Sequence, residues 1–496
     1  MILDLDTPLG ITLALLPELV LTLAAVVALL ATAWRHTTAA DSRLVGWISL
    51  VGTGLATVAL GVLWAWSPDS RGSLAMVAMD GFRYASLGII LLATAGSILF
   101  SLAYMEREEL NAPEYYVLIL LAATGMLFLA GATDLIVLFL GLEVMSVAVY
   151  VLAGYDRRSR FSSEAALKYF LIGAFASAFL LYGIALLYGA TGHTDFRTIG
   201  LILQPPVSTM GALGIGLLLV GLAFKVSAVP FHMWAPDVYD GAPTPVTGFM
   251  ATGVKAAGFV ALTRVLIEAL PGATSIWMPV LGVLAGASMV VGNLVALSQR
   301  SLKRMLAWSS VAHAGYLLLA VATGTRLGIT AMLVYLLAYV LTTLATFGVL
   351  GVLGRGGERD VTLDSIAGLG RTRPGLSLAL TISMLSLLGF PGTFGFIGKW
   401  TILTAAVSEH QLVLSVLLVV TSLVSAGFYL PVIMAMYMRP ATDDDAHAHV
   451  WMSSPAAATV AFAVALVVVF GFWPMPALDT ALEGARALVE ATLRAP

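Results

Sequence analysis

Apolar residues run along almost the whole chain in blocks of about twenty, punctuated by short polar clusters. A membrane-spanning helix needs about 20 mostly apolar residues. Fourteen such blocks can be read, near 9–34, 44–66, 81–103, 115–131, 134–154, 165–189, 210–236, 243–270, 276–297, 302–322, 328–353, 375–406, 411–438 and 455–474. The pattern predicts an all-α polytopic membrane protein of about fourteen transmembrane helices. The longest connections are 190–209, 354–374 and 439–454, with a short tail after 475, so little chain is left for a soluble domain. No basic stretch precedes the first block, which therefore reads as a retained span and not a cleaved signal.

Basic residues in the loops give the orientation. Loops that follow odd-numbered spans hold Arg35, Arg43, Arg107, Arg157, Arg158, Arg160, Arg300, Lys303, Arg304, Arg355, Arg359, Arg371, Arg373 and Arg439. The opposite side holds Arg71, Arg83, Arg197, Arg264, Arg326, Arg486 and Arg494. The asymmetry puts the odd loops in the cytoplasm and both termini outside. Arg264, near the outer end of its span, is expected to snorkel to the interface.

Composition agrees with this class: 59% of the 496 residues are hydrophobic and 11% charged, against about 25% charged in soluble domains. There are no cysteines, so this chain holds no disulfide, thiolate-bound iron–sulfur cluster or c-type haem. It shows no Walker A motif, no strand–GxGxxG–helix unit and no basic stripe, so neither a nucleotide nor a nucleic acid is an expected ligand. The run "DDDAHAH" (Asp443–His449) reads as a solvated loop, not a metal site.

Charge becomes informative through the lysines. The chain has five, and Lys168, Lys225, Lys255 and Lys399 all fall inside predicted spans, leaving only Lys303 in a loop. A charge at mid-bilayer costs about 2.5–3.5 kcal/mol on insertion scales, and such residues usually pair, face a wet interior and mark an ion or proton route. Lysine can release its proton when buried, whereas arginine stays charged. A set of interior lysines is therefore what a proton relay needs. Static helix–helix pairing is the alternative for each, and Lys168, near a span's start, can also snorkel. Glu143, near the centre of the fifth span, is the matching acid, with Lys225 its expected partner. His232 and His313 also lie within spans and suit proton shuttling or a plain interhelical hydrogen bond. No metal or cofactor ligand set is evident.

Two spans carry breaks. Pro230 in "GLAFKVSAVPFHMW" (Gly221–Trp234) and Pro391 among glycines in "LLGFPGTFGFIGKW" (Leu387–Trp400) interrupt helices at membrane depth, which is tolerated only where the freed backbone meets protein or water. Paired breaks point to an inverted-repeat transporter. Sliding the sequence by 166 puts Tyr150 on Tyr316, Phe224 on Phe390 and Trp234 on Trp400. The shift spans five helices, an odd number, so the two halves are expected to be inverted five-helix repeats, spans 4–8 and 9–13. The expected organisation is a three-helix segment (1–114), two repeats (115–270 and 271–438), and a last span with tail (439–496).

"GLAFKVSAVPFHMWAPDVYDGAPTPVTGFMATGVKAAGF" (Gly221–Phe259) and "QRSLKRMLAWSSVAHAGYLLLA" (Gln299–Ala320) strongly resemble the antiporter-like subunits of respiratory complex I, the NADH–quinone oxidoreductase. Mrp-type sodium/proton antiporters and membrane-bound hydrogenases are relatives. The form "PDVY-x-GAP", the run "SSEAALKYFLIGAFASAFLLYGIALLYGATG" (Ser162–Gly192), Lys399 where the M-type carries Glu, and a chain ending without the L-type lateral helix favour the N-type branch. The resemblance implies that Glu143, Lys225, Lys255 and Lys399, with His232, His313 and Lys168, form a polar axis that moves protons, driven by quinone reduction elsewhere. It implies no cofactor in this chain, with NADH, flavin, iron–sulfur clusters and quinone in partner subunits. The implied neighbours are subunits M and K and the lateral helix of subunit L, in a bacterial inner membrane. The alternatives are an Mrp-type cation/proton antiporter subunit and a non-pumping scaffold.

Overall fold

In hydrocarbon, every backbone N–H and C=O must find its partner within its own segment, so a chain this apolar is driven to helices. The computed structural model describes residues 7–34, 38–66, 76–110, 112–354, 361–441 and 452–493, and helices dominate them throughout. The run "DDDAHAH" lies outside the described residues, as do Arg35, Arg71, Arg355, Arg359 and Arg494.

Among the described residues, twelve helices are long and apolar enough to cross a membrane. They are α1 (Leu16–Trp34), α2 (Ala39–Trp66), α3 (Gly81–Arg107), α4 (Glu114–Gly131), α5 (Leu135–Ala153), α6 (Arg160–Thr191), α9 (Thr244–Ala269), α10 (Thr274–Ala296), α11 (Leu302–Ala322), α12 (Arg326–Leu353), α15 (Leu412–Met438) and α16 (Ser454–Phe472). Two predicted spans arrive as pairs of shorter helices: α7 (Thr209–Lys225) with α8 (Trp234–Gly241), and α13 (Pro374–Leu388) with α14 (Phe394–Ser408). The chain is thus a multi-pass membrane protein with breaks at the two positions the prolines mark. Nearly all of α9 and α11 is buried, so these two helices form the centre of the bundle.

Starts are set by side-chain caps. Asp134 accepts from the Ile136 N–H at 2.7 Å to open α5, and Ser301 accepts from Arg304 N–H at 3.3 Å to open α11, satisfying amides that have no partner in the helix. α4 and α5 approach backbone to backbone. A Cβ at Gly125 would sit 2.5 Å from Met145 N, and one at Gly141 2.7 Å from Leu129 N, so only glycine fits at the crossing.

Three isolated antiparallel bridges tie loops to helix starts, and two of them are related. Asp134 pairs with Asp195 and Ser301 with Thr362, each residue 167 positions on (134 to 301, 195 to 362). The first lies at the end of the bundle where α3 begins, the second at the end where α3 finishes. That reversal is what an inverted repeat would produce.

Four sequence expectations change. Arg264 does not snorkel: it is 1% exposed and makes two 2.9 Å bonds to Asp80 and one of 2.6 Å to Glu268. Arg83, expected in an outer loop, is wholly buried, 2.7 Å from the equally buried Glu18. Lys303 sits in the first turn of α11, buried, and donates to the Ala242 carbonyl at 2.6 Å. The tail after 475 is a further helix, α17 (Met475–Leu493). It packs on α3, α12 and the end of α9, burying Ala477, Ala481, Ala485 and Leu488 at helical spacing. Interspersed charges disguise this face when the segment is read for spans.

The Glu18–Arg83 and Asp80–Arg264–Glu268 groups join α1, α3 and α9 at one end of the bundle. Asp80 precedes α3. Burial pushes its carboxyl up, but the Arg264 guanidinium, the Arg83 N–H and the Arg83 charge outweigh that and hold it below its usual value. A carboxylate held low contributes stability that is complete above about pH 4 and fades as the pH falls through the depressed value. Arg264→Met leaves two carboxylates buried without their cation. It is expected to cost about 3–5 kcal/mol, read as a lower midpoint in thermal unfolding of the solubilised assembly, with less of it recovered.

Candidate functional site

Three of the four amines that the sequence concentrates in spans, Lys225, Lys255 and Lys399, lie inside the bundle, between the break after α7 and the break before α14. Lys225 is the last residue of α7 and is 3% exposed. Its Nζ donates to Ser146 Oγ on α5 at 2.6 Å and lies 5.4 Å from the Tyr150 ring centre. Glu143, one turn before Ser146, accepts from Ser177 Oγ on α6 at 2.5 Å. The expected direct Glu143–Lys225 pair is not formed. The two charges are held by different serines, Lys225 by Ser146 and Glu143 by Ser177, and Ser146 donates its own proton to the Leu142 carbonyl.

The break beyond Lys225 is built to close its own backbone. Ser227 takes a left-handed conformation, φ 60, which is costly for a residue with a side chain and persists only when its surroundings enforce it. The Val229 N–H is taken by Ser288 Oγ at 2.9 Å, and the Phe224 carbonyl by the Trp234 indole at 3.1 Å. Several polar atoms around the break remain buried without a protein partner: Tyr150 and Tyr169 hydroxyls, Ser227 Oγ, His232 Nδ1 and Trp308 Nε1. Buried polar atoms in native proteins are generally satisfied by protein or water, so this is the part of the interior best suited to hold water. His232 lies here, its ring 5.2 Å from that of Trp308.

Lys255 sits on α9 one turn before Gly258, where a Cβ would lie 3.7 Å from Lys225 Cβ. The helices carrying the two lysines therefore pass in contact. Helical turns on either side of Lys255 are wide, π-type at Met250–Val254 and Val265–Ala269, a form frequent at functional sites. Lys255 Nζ donates to the Ser310 carbonyl at 2.7 Å and also to its hydroxyl, which Tyr339 reaches at 2.9 Å. The Tyr339 ring lies 5.2 Å from His313. His313 is buried between two hydroxyls, Tyr335 at 2.5 Å on Nδ1 and Tyr429 at 3.0 Å on Nε2, and Tyr429 bonds Ser309 in turn. A small cavity bordered by Ser309, Tyr339, Thr343 and Thr346 adjoins this cluster.

Lys399, on α14 just after the second break, donates to the Leu388 carbonyl at 3.0 Å and to Ser422 Oγ at 3.2 Å. Leu388 O is a carbonyl that the break frees, so the amine fills a backbone vacancy. Gly389 makes this possible. Its φ is +85, and a Cβ there would be 2.9 Å from Lys399 Cδ. Lys168 stands apart. It is 41% exposed and ion-paired with Glu164 at 2.8 Å and Asp237 at 2.7 Å, beside Arg304, which also binds Asp237 at 3.0 Å. That is a surface cluster, in line with snorkelling.

The structure thus links Lys255, His313 and Lys399 through tyrosines, places Lys225 and His232 at the first break, and leaves Lys168 at the rim. The sequence reading missed the connecting groups: Ser146, Ser310, Tyr316, Tyr335, Tyr339 and Tyr429. Serine and tyrosine are common in apolar helices, and only three-dimensional position separates these from the rest.

A polytopic helical membrane protein with a buried polar axis joining two broken helices is the class these features define. Residues 132–425 match the family described as "NADH:quinone oxidoreductase/Mrp antiporter, TM". The chain is 46% identical over 482 residues to the NADH-quinone oxidoreductase subunit N of Gemmatimonas aurantiaca, covering 94% of this chain and 92% of that one. It is 38% identical to a chain of respiratory complex I from Thermus thermophilus with bound aureothin, with a TM-score of 0.78 over 93% of this chain and 98% of the other. A chain of the Mrp complex from Dietzia sp. shares the fold, with a TM-score of 0.84 at 23% identity, over 98% of each chain. The chain therefore belongs to the NADH:quinone oxidoreductase/Mrp antiporter transmembrane family.

Tyr335→Phe would leave His313 Nδ1 buried and unpaired. It is expected to cost about 1–3 kcal/mol, measured by thermal unfolding. Adding His313→Leu should recover part of that loss, because Tyr429 keeps Ser309 as its partner.

Proposed function

We propose that this chain is a proton-translocating, antiporter-like subunit in the membrane arm of a redox-driven NADH–quinone oxidoreductase. The observation that carries the reading is the placement of Lys225, Lys255 and Lys399. All three are buried, each is bound to hydroxyls or a carbonyl, and among the described residues none has a carboxylate within ion-pair distance. A static staple pairs its charges, as Arg264 does with Asp80. Amines left with neutral partners can gain and lose a proton without breaking an ion pair.

In this reading the Glu143 charge modulates Lys225 from electrostatic reach. Lys255 carries the proton laterally by Ser310 and Tyr339 toward His313 and Lys399, which delivers it outward. His232 and the unpartnered hydroxyls near it hydrate the first break. Lys168, with Asp237 and Glu164, gathers protons at the basic end. Moving one charge against 100 mV takes about 2.3 kcal/mol. Quinone reduction in partner subunits would supply it, by biasing the charge state of the Glu143–Lys225 pair. NADH, flavin, iron–sulfur clusters and quinone belong to those partners.

Subunits M and K and the lateral helix of subunit L are the neighbours this reading assigns. The membrane is the bacterial inner membrane. The basic end, where Arg158, Arg304 and Arg439 lie, faces the cytoplasm by the basic-loop rule, and both termini face outward. Fourteen spans with two inverted repeats, 115–270 and 271–438, suit the paired breaks and the two related bridges.

Lys225→Met and Glu143→Ala, each in the whole complex reconstituted in vesicles, are expected to assemble yet lose most proton pumping coupled to NADH oxidation. Normal proton-to-electron stoichiometry in both variants would defeat the relay. Loss of assembly in Lys225→Met would favour the scaffold reading. Sodium-coupled exchange without NADH oxidation would favour an Mrp-type antiporter.

A further inference from the structure

Among the described residues, Lys225, Lys255 and Lys399 have no carboxylate within ion-pair distance, yet their environments are not merely neutral. Each amine sits over a tyrosine ring. Lys399 Nζ is 4.7 Å from the Tyr316 ring centre, Lys225 Nζ 5.4 Å from that of Tyr150 and 5.8 Å from that of Tyr169, and Lys255 Nζ 5.8 Å from that of Tyr339. An ammonium within about 6 Å of a ring centre is attracted by the ring's electron-rich face, most strongly where water is excluded. Lys168, at the exposed rim, is held instead by the carboxylates of Glu164 and Asp237. Rings therefore stand where carboxylates are missing.

Two of these rings are related. Tyr150 and Tyr316 fall on each other at the 166-residue offset, on α5 and α11, while Lys225 and Lys399 do not: one precedes its break and the other follows it. The ring position is kept in both halves although the lysine position has moved. We propose that Tyr150 and Tyr316 are matched cation-binding platforms, each ring receiving the protonated amine of one relay lysine and holding it in the charged state. This rests on the relay reading above. The assignment makes them positioning residues, acting on the proton through the amine.

At Lys399 the ring joins the Leu388 carbonyl and the Ser422 hydroxyl as the groups that stabilise the ammonium. The titratable groups around it are His313 and Tyr316 from α11, Tyr335 from α12 and Tyr429 from α15, with Lys255 on α9 beyond His313. None of these brings a negative charge at neutral pH. Around Lys225 are Tyr150 from α5 and Tyr169 from α6, with the Phe224 ring beside it and Glu143 within electrostatic reach. The platforms differ in rigidity. Asn293 donates to the Tyr316 hydroxyl at 3.1 Å and Thr421 lies 3.5 Å from it, whereas the Tyr150 hydroxyl has no protein partner.

The test uses the whole complex in vesicles, with NADH-driven proton pumping recorded as a function of pH for Tyr316→Phe and Tyr316→Leu, and for Tyr150→Phe and Tyr150→Leu. Removing the ring makes the amine lose its proton at lower pH. The alkaline limb of each Leu variant should therefore move down by about one pH unit relative to the matching Phe variant, with the larger displacement at Tyr316. Where a Leu variant fails to assemble, phenylalanine bearing one, two and three ring fluorines keeps the shape while weakening the face, and the limb should step downward with each fluorine. Coincident profiles for ring and ringless variants, or for the fluorinated series, overturn the proposal. The relay reading fails separately, if Lys399→Met and Lys225→Met complexes still pump. Loss of pumping in those lysine variants together with coincident tyrosine profiles removes the platforms alone.

Discussion

A polar group opened inside a dry helix bundle has to be satisfied where it is, and much of the interior here follows from that. Each break frees carbonyls and amides at membrane depth, where water is scarce. At the first break, the Trp234 indole and Ser288 close the backbone. At the second, the Lys399 amine itself takes the Leu388 carbonyl. The lysine is thus part of the break's own repair, and the break is what makes a polar seat for the lysine. Neither would be tolerable alone, since an isolated amine in hydrocarbon and an orphan carbonyl both carry a large desolvation cost.

Charge is handled in two ways at two places. At the end of the bundle where α3 begins, arginines meet carboxylates: Arg83 with Glu18, and Arg264 with Asp80 and Glu268. Guanidinium stays charged and binds carboxylate in a fork, so these contacts are permanent ties between helices. In the interior, lysines meet hydroxyls, carbonyls and rings. Such partners stabilise an ammonium without demanding it, and a neutral amine can keep its hydrogen bonds. The chemical difference between the two cations matches the difference between holding the bundle together and leaving a charge free to change.

The spans, the breaks and the candidate amines were legible in the sequence. Twenty-residue apolar blocks, two prolines among glycines, and lysines absent from nearly all loops are one-dimensional signals with direct physical causes. The glycine at 389 is legible only as a breaker; that its missing Cβ makes room for Lys399 is a matter of distance. Arg264 was misread because depth along a span says nothing about which way a side chain points, and Asp80, its partner, lies 184 residues earlier in the chain. The helix after Pro474 was missed because its apolar stripe is narrow and its charges look like a solvated tail.

By itself, the sequence determined the class of protein, the order of helices and which residue types would be expensive to bury, because hydrophobicity and proline act locally. The tertiary structure decided which of those costly groups meet. It gave Lys225 to Ser146 and Glu143 to Ser177, set His313 between Tyr335 and Tyr429, and slid a tyrosine ring beneath Lys225, Lys255 and Lys399. Hydroxyls and aromatic rings are common in any membrane helix, and their meaning comes only from the few ångströms that separate them from a charge.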